Sequence, residues 1–206
     1  MYSEPAFNKA KADYTGYEET TGDANSYKGV DITFNHALSY LTFKVQTKTD
    51  YTTTTKFKLN KITLSGVYTA GTFNQNAPDP WEEDTTGEKG NYIAYNNPTG
   101  LDFDYSIAKE ANAEEGKEII LLPQTLTAGK QKITVNYQIS TDNKDIDDPD
   151  KVWINQEQTA DIVGSVTSWE MGKKYIYTIT IGMNEIIFDP AVAEWTTPPV
   201  TGGVAI

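Results

Sequence analysis

Trp169 to Gly182 reads WEMGKKYIYTITIG, and this stretch decides the fold. From Lys173 onward, Tyr175, Tyr177, Ile179 and Ile181 fall on one face and Lys174, Ile176, Thr178 and Thr180 on the other, the alternation of a half-buried β-strand. Tyr, Ile and Thr all suit a pleated surface. Gly172 supplies a turn before the strand, and Gly182-Met183-Asn184 one after it. Glu185 to Phe188 then folds back as a hairpin partner with Ile186 and Phe188 inward, and Trp169 caps the core from the strand's entrance.

Working outward, the same alternation recurs. Ile133, Val135, Tyr137 and Ile139 alternate with Thr134, Asn136 and Gln138 behind a turn at Gly129. Ile119 to Leu122 is apolar on both faces, as a central strand is, and Pro123 ends its ladder. Tyr92 to Tyr95 and Leu101 to Tyr105 read as edge strands with NNPTG as a turn between them. Phe57 and Leu59 have the opposite parity to Ile62 and Leu64, and Ile32 and Phe34 the opposite parity to Leu41, Phe43 and Val45. A slip of one residue turns every side chain over, so the chain bulges or crosses between sheets at each switch. His36 lies at one of them and reads as a side chain bonded to local backbone at a strand corner. Polar turns fill Thr52 to Thr55, Asn74 to Gly90 and Thr141 to Asp150. No long amphipathic helix and no repeat of fixed period is present. Roughly seven to ten strands, with turn signals about every 8 to 12 residues, predict an all-β antiparallel sandwich. Its domain spans 30–195, with 1–29 a linker or the remnant of a preceding domain and 196–206 a C-terminal tail.

Composition removes several functions. The 206 residues contain no Cys, so disulfides and thiolate chemistry are excluded, and a single His gives no His-rich metal site. The net charge is −12 and every basic residue is Lys, which sets the chain against polyanions and predicts no nucleic-acid partner. No apolar run approaches the ~20 residues that span a bilayer.

At His36-Ala37-Leu38-Ser39 a family resemblance enters. The frame VDITFNHALSYLTFKV, then ITLSGVYTAGTF and a loop holding Trp81, then IILLPQTLTAGKQKITVNYQI, then SWEMGKKYIYTITIGMNEIIFDPAVAEW resembles the fimbrillin-like proteins of Bacteroidales, over about Val30 to Trp195. The resemblance implies a transthyretin-like, Greek-key antiparallel β-sandwich and a part as stalk, tip or anchor subunit of a surface pilus. It implies export to the cell surface and outer membrane, with other pilus subunits as partners through strand exchange and host or bacterial surface ligands as further ones. It also implies the C-terminal domain of a two-domain molecule, since only residues 1–29 precede the matching segment. The lipidation Cys and cleavage-site Arg of polymerising members have no counterpart here, so membrane attachment runs through an anchor outside this chain.

Four features are candidates for chemistry. Asp142, Asp145, Asp147, Asp148 and Asp150, with Asn143, offer the oxygen ligands Ca²⁺ prefers, but lack the spaced Gly and terminal Glu of a calcium hand, so a solvated acidic turn is the plainer reading and no metal is expected. Glu82 and Glu83 are adjacent, whereas a glycosidase holds two carboxyls across a cleft; no catalytic residue, cofactor or enzymatic activity is expected. Trp81 and Trp153 are candidate glycan contacts, the basis of a second reading as a surface glycan-binding module of a nutrient-uptake system; Trp169 and Trp195 fit the core. The tail beyond Pro198-Pro199 carries no charge, and Val200, Val204 and Ile206 alternate as in a candidate donor strand.

Overall fold

The computed structural model describes residues 2–3, 34–51, 55–87, 89–106, 108–111, 119–182 and 186–195. Strands account for all its regular structure. In chain order they are β1 (Tyr2–Ser3), β2 (Phe34–Asn35), β3 (Ser39–Thr47), β4 (Lys56–Tyr68), β5 (Gly71–Phe73), β6 (Trp81–Glu83), β7 (Lys89–Phe103) and β8 (Lys109–Glu110). There follow β9 (Ile119–Leu121), β10 (Gln124–Thr125), β11 (Lys132–Ser140), β12 (Ile154–Asp161), β13 (Ser168–Trp169), β14 (Lys173–Ile181) and β15 (Ile186–Glu194). Two sheets carry the architecture, one ordered β12-β11-β4-β7 and the other β15-β14-β3, with β8 and β9 end to end along the far side of β3. The pairs β1-β2, β5-β6 and β10-β13 are small additions.

The alternating rows become the core as expected. Tyr175, Tyr177, Ile179 and Ile181 are buried, as are Leu41, Phe43 and Val45 beside them and Ile133, Val135, Tyr137 and Ile139 in the other sheet. All belong to one apolar cluster. Each buried Ile, Leu or Val contributes about 1.5–3 kcal/mol relative to exposure, so these rows are the main driving force. Trp169 does cap the core, and its indole N–H donates to the Tyr177 hydroxyl at 2.8 Å, which removes the cost of burying both polar atoms. Desolvation of that hydroxyl pushes the Tyr177 pKa up to about 12. The predicted hairpin partner is β15, longer than foreseen, with Ile186 and Phe188 half-buried against the core.

The parity switch in β4 is a real break in register. In β4 the switch is a bulge at Asn60: Leu59 and Lys61 pair with the consecutive residues Tyr137 and Asn136 of β11. Against β7 the same point absorbs a larger excursion, since Leu59 pairs with Leu101 and Lys61 with Asn96. Hence NNPTG is not a turn between two strands. It is a bulge inside the single strand β7, folded by the Asn97 side chain, which accepts hydrogen bonds from the Thr99 N–H and hydroxyl. The earlier switch rests on Ile32 and on the Phe34 side chain, which lie outside the described residues; β2 ends at Asn35 and β3 begins at Ser39.

Two further expectations change. The central pair β14-β3 is parallel, with Tyr175 opposite Leu41 and Ile179 opposite Val45; partners so distant in sequence need no hairpin, so nothing local imposes an antiparallel sense. Ile119–Leu121 is an edge strand rather than a central one, and because β9 lies beyond β3 its Ile120 remains 45% exposed. The side chains of Ile32 and Phe34, the turns at 52–54 and 183–185, the segment 4–29 and the tail 196–206 lie outside the described residues.

Gly66 has φ +75° at the second β4 bulge, and a Cβ there would lie 2.1 Å from the Lys130 carbonyl oxygen. Gly129 has φ +78° but open space around it. Gly129→Ala should therefore cost only the left-handed penalty, about 1–2 kcal/mol, and Gly66→Ala clearly more, because backbone must also move. Urea denaturation of the two variants measures the difference; equal losses would mean that the Lys130 contact is not limiting.

Candidate functional site

His36 to Leu38 link β2 to β3, which begins at Ser39, and each of these four residues is tied to a distant part of the chain. The Ala37 carbonyl accepts from the Trp81 indole N–H at 2.5 Å. The Leu38 carbonyl accepts from the Gly172 N–H at 3.1 Å, and the Ser39 hydroxyl donates to the Glu170 carbonyl at 2.8 Å. His36 stacks on Trp195, ring centroids 3.8 Å apart and planes 5° from parallel. Trp195 is itself anchored, its N–H donating to the Gly172 carbonyl at 2.9 Å and its ring leaning on Tyr40 at 5.5 Å. Lys173 pairs with Glu194, closing β15 onto the start of β14. Lys174 lies 4.8 Å over the Tyr40 ring.

This junction explains why short motifs far apart in the sequence occur together: HALS, the Trp81 segment, WEMGKK and the AEW end meet at one end of the structure. Sequence reasoning singled out each of them and missed their convergence. His36 has an aromatic partner, Trp195, rather than the backbone bond expected of it, and its Nε2 is enclosed with no hydrogen-bond partner. Trp195 is half-buried in this stack rather than in the core.

Trp81 folds back over the end of the sandwich, with its ring 5.1 Å from Phe73 on the paired strand β5 and its N–H committed to Ala37. Trp153 sits just before β12, with the ammonium groups of Lys58 and Lys151 at 4.8 and 5.7 Å from its ring. No ring contact joins the two, so they form no common platform. Val200, Val204 and Ile206 lie outside the described residues.

The acidic loop is organised from within. Asp142 pairs with the buried Lys151 at 2.7 Å and accepts from the Val152 N–H at 2.7 Å and the Ser140 hydroxyl at 3.0 Å. The Lys151 ammonium, followed by the Val152 N–H, holds the Asp142 carboxyl well below the usual range. Among the described residues no three His, Asp or Glu side chains are placed to hold a metal ion. Near the opposite end from the junction, Thr47, Tyr51, Thr55, Phe57, Phe103 and Asp104 line a cleft of about 120 Å³. That is well under the roughly 300–1,000 Å³ of small-molecule sites.

Among the described residues, fold and junction thus define a two-sheet, all-β protein closed by a conjunction of end segments. Its sequence matches the fimbrillin-like family over residues 4–195, and the chain belongs to that family. A crystal structure of a fimbrial protein from Bacteroides vulgatus shares the fold with a TM-score of 0.61 at 19% identity, the match covering 80% of this chain and 56% of that one. A Bacteroides uniformis structure, provisionally named a cell adhesion protein, matches at TM-score 0.48 and 22% identity over 81% of this chain and 54% of that one. The chain therefore spans a little over half the length of these solved structures. No curated protein matches it.

Burial of the imidazole lowers the His36 pKa from its ordinary 6.5. As pH falls the unfolded chain takes up this proton before the folded one, so stability present above pH 6.5 declines from there toward the lower folded value. Urea midpoints across the window should fall with pH in the native chain and be flatter in His36→Phe, which keeps the stack and removes the titration. Equal slopes would place the effect elsewhere.

Proposed function

We propose that this chain is a structural or adhesive subunit of a bacterial surface pilus, joined to its neighbours by β-strand donation. Family membership is the observation that carries the reading. Two features of the chain support it. The tail begins directly after Trp195, which the junction anchors by a stack and a main-chain hydrogen bond. Beyond it, Val200 to Ile206 has alternating apolar side chains and no charge, whereas natural proteins normally blunt an exposed strand with charge. In a neighbour's sheet, main-chain hydrogen bonds would set the register while Val200, Val204 and Ile206 fill successive positions on one face. The place of action is then the cell surface, and the partners are other pilus subunits.

Glycan binding through Trp81 or Trp153 has less support. The N–H of Trp81 is already engaged, and cations of the same chain approach the ring of Trp153.

The test is deletion of Pro198–Ile206 from the full-length protein. A donor strand predicts an unchanged melting temperature together with loss of incorporation into polymer, read by sedimentation and electron microscopy. A fall in melting temperature instead would mean that the tail packs on its own sheet, and normal incorporation would rule out donation by the tail.

A further inference from the structure

The cleft near the end opposite the junction has walls that the chain ties in place. Its deep side is the run of rings Tyr51, Phe57 and Phe103, with successive centroids 5.5 and 5.7 Å apart, and the side chains of Thr47 and Thr55 are buried beside them. An interior gap forfeits contacts on every face that lines it, so folds keep few of this size. Here the Thr47 N–H donates to the Asp104 carbonyl at 2.9 Å, fixing the end of β3 to the chain leaving β7. The Thr55 N–H donates to the Tyr51 carbonyl at 2.7 Å, which draws those two residues together. The facing wall is Ile146, carried by the acidic loop that the Asp142–Lys151 pair clamps. With its walls tied, the cleft loses little freedom when a group enters, which is what preorganisation of a binding site means.

Its charge differs from that of the chain. The net charge is −12, yet the cleft presents Lys56 and Lys109 against Asp102 and Asp104, two of each sign. Lys109 is exposed, its ammonium donates to the Asp102 carbonyl at 2.5 Å, and it belongs to none of the ion pairs among the described residues. A ligand with a net charge of either sign meets a like charge here. A hydroxyl both donates and accepts, so it answers ammonium and carboxylate alike. The aromatic wall in turn suits an apolar face. At about 120 Å³ the cleft is too small for a drug-sized molecule but close to the ~150 Å³ cavity that holds a single six-membered ring.

From this we infer that the cleft binds one neutral pyranose unit, a single sugar residue with its C–H face on the aromatic wall and its hydroxyls at the charged rim beside Lys109. This gives the adhesive form of the reading above its ligand and rests on that form. It uses neither Trp81, nor Trp153, nor the tail.

Saturation-transfer NMR on the full-length protein tests it, with the methyl pyranosides of glucose, galactose and mannose as probes and glucosamine and glucuronate as charged controls. Transfer to at least one neutral glycoside, strongest at its ring C–H protons, is the expected result. Ile146→Trp, which fills the cleft, should abolish the transfer. Lys109→Ala, at an exposed position, should weaken binding roughly tenfold, the effect of losing one hydrogen bond to a charged group. Trp153→Ala should leave it unchanged. Melting temperatures establish that each variant is folded, and if Ile146→Trp is not, Lys109→Ala decides. No transfer to any neutral glycoside, tighter binding of either charged control, or full binding by Lys109→Ala would overturn the inference. So would a signal that survives folded Ile146→Trp and disappears in Trp153→Ala. Sugar contact is read on soluble protein, so its failure is distinct from a failure to enter polymer, which the tail deletion measures.

Discussion

The interaction on which the rest of the structure depends is the anchoring of His36–Ser39. Three hydrogen bonds and an aromatic stack draw the Trp81 hairpin, the Glu170–Gly172 turn and the end of β15 onto the three-residue link between β2 and β3 and the first residue of β3. The sequence separations are large, 131 residues for the Ser39–Glu170 bond. Without that fixation β3 would still be apolar on one face, but its phase relative to β14 would rest on hydrophobic contact alone, which is tolerant of sliding. The Leu38 and Ser39 bonds set the phase at the first residue of β3, and every pair from Tyr40–Lys174 to Thr47–Ile181 follows from it.

A second constraint lies in the other sheet. β4 is flanked by β7 and β11, and its bulge at Asn60 is seen by both neighbours. The extra residue lets Phe57 and Leu59 on one side of it, and Ile62 and Leu64 on the other, all point into the core despite opposite parity. The outer face of this sheet is correspondingly polar, with Thr, Asn, Gln and Glu side chains bonded across β11 and β12. One strand thus keeps a continuous buried row over thirteen residues while bending to follow the core.

Much of this was legible in the sequence because burial imposes a local period. The rows of β3, β11 and β14, the parity switch in β4 and the cap at Trp169 can all be read from neighbouring residues. What could not be read was partnership. Nothing in YIYTITI states that its neighbour is LTFKV, or that the two run parallel. The merging of two segments into β7 was hidden because NNPTG has the chemistry of a turn, and only the facing Asn60 bulge makes it a bulge instead. Ile119–Leu121 looked central because apolarity on both faces normally means burial on both; here Ile120 faces solvent at a short edge. The His36–Trp195 stack left the faintest signal, a lone imidazole at a strand corner and an indole near the chain's far end.

The parallel pairing of β3 with β14 also governs the order in which the protein can come into being. β3 is among the first of the long strands to be made, yet its central neighbour ends at Ile181, and the Gln46–Thr180 side-chain bond between them spans 134 residues. Closing a loop of that size costs roughly 4 kcal/mol of chain entropy on the logarithmic estimate, before any contact repays it. Until the ribosome has released the segment up to Ile181, the five-stranded sheet lacks its middle and β3 has only short partners. The chain is therefore slow to commit to its native shape, in the manner of folds dominated by non-local pairing.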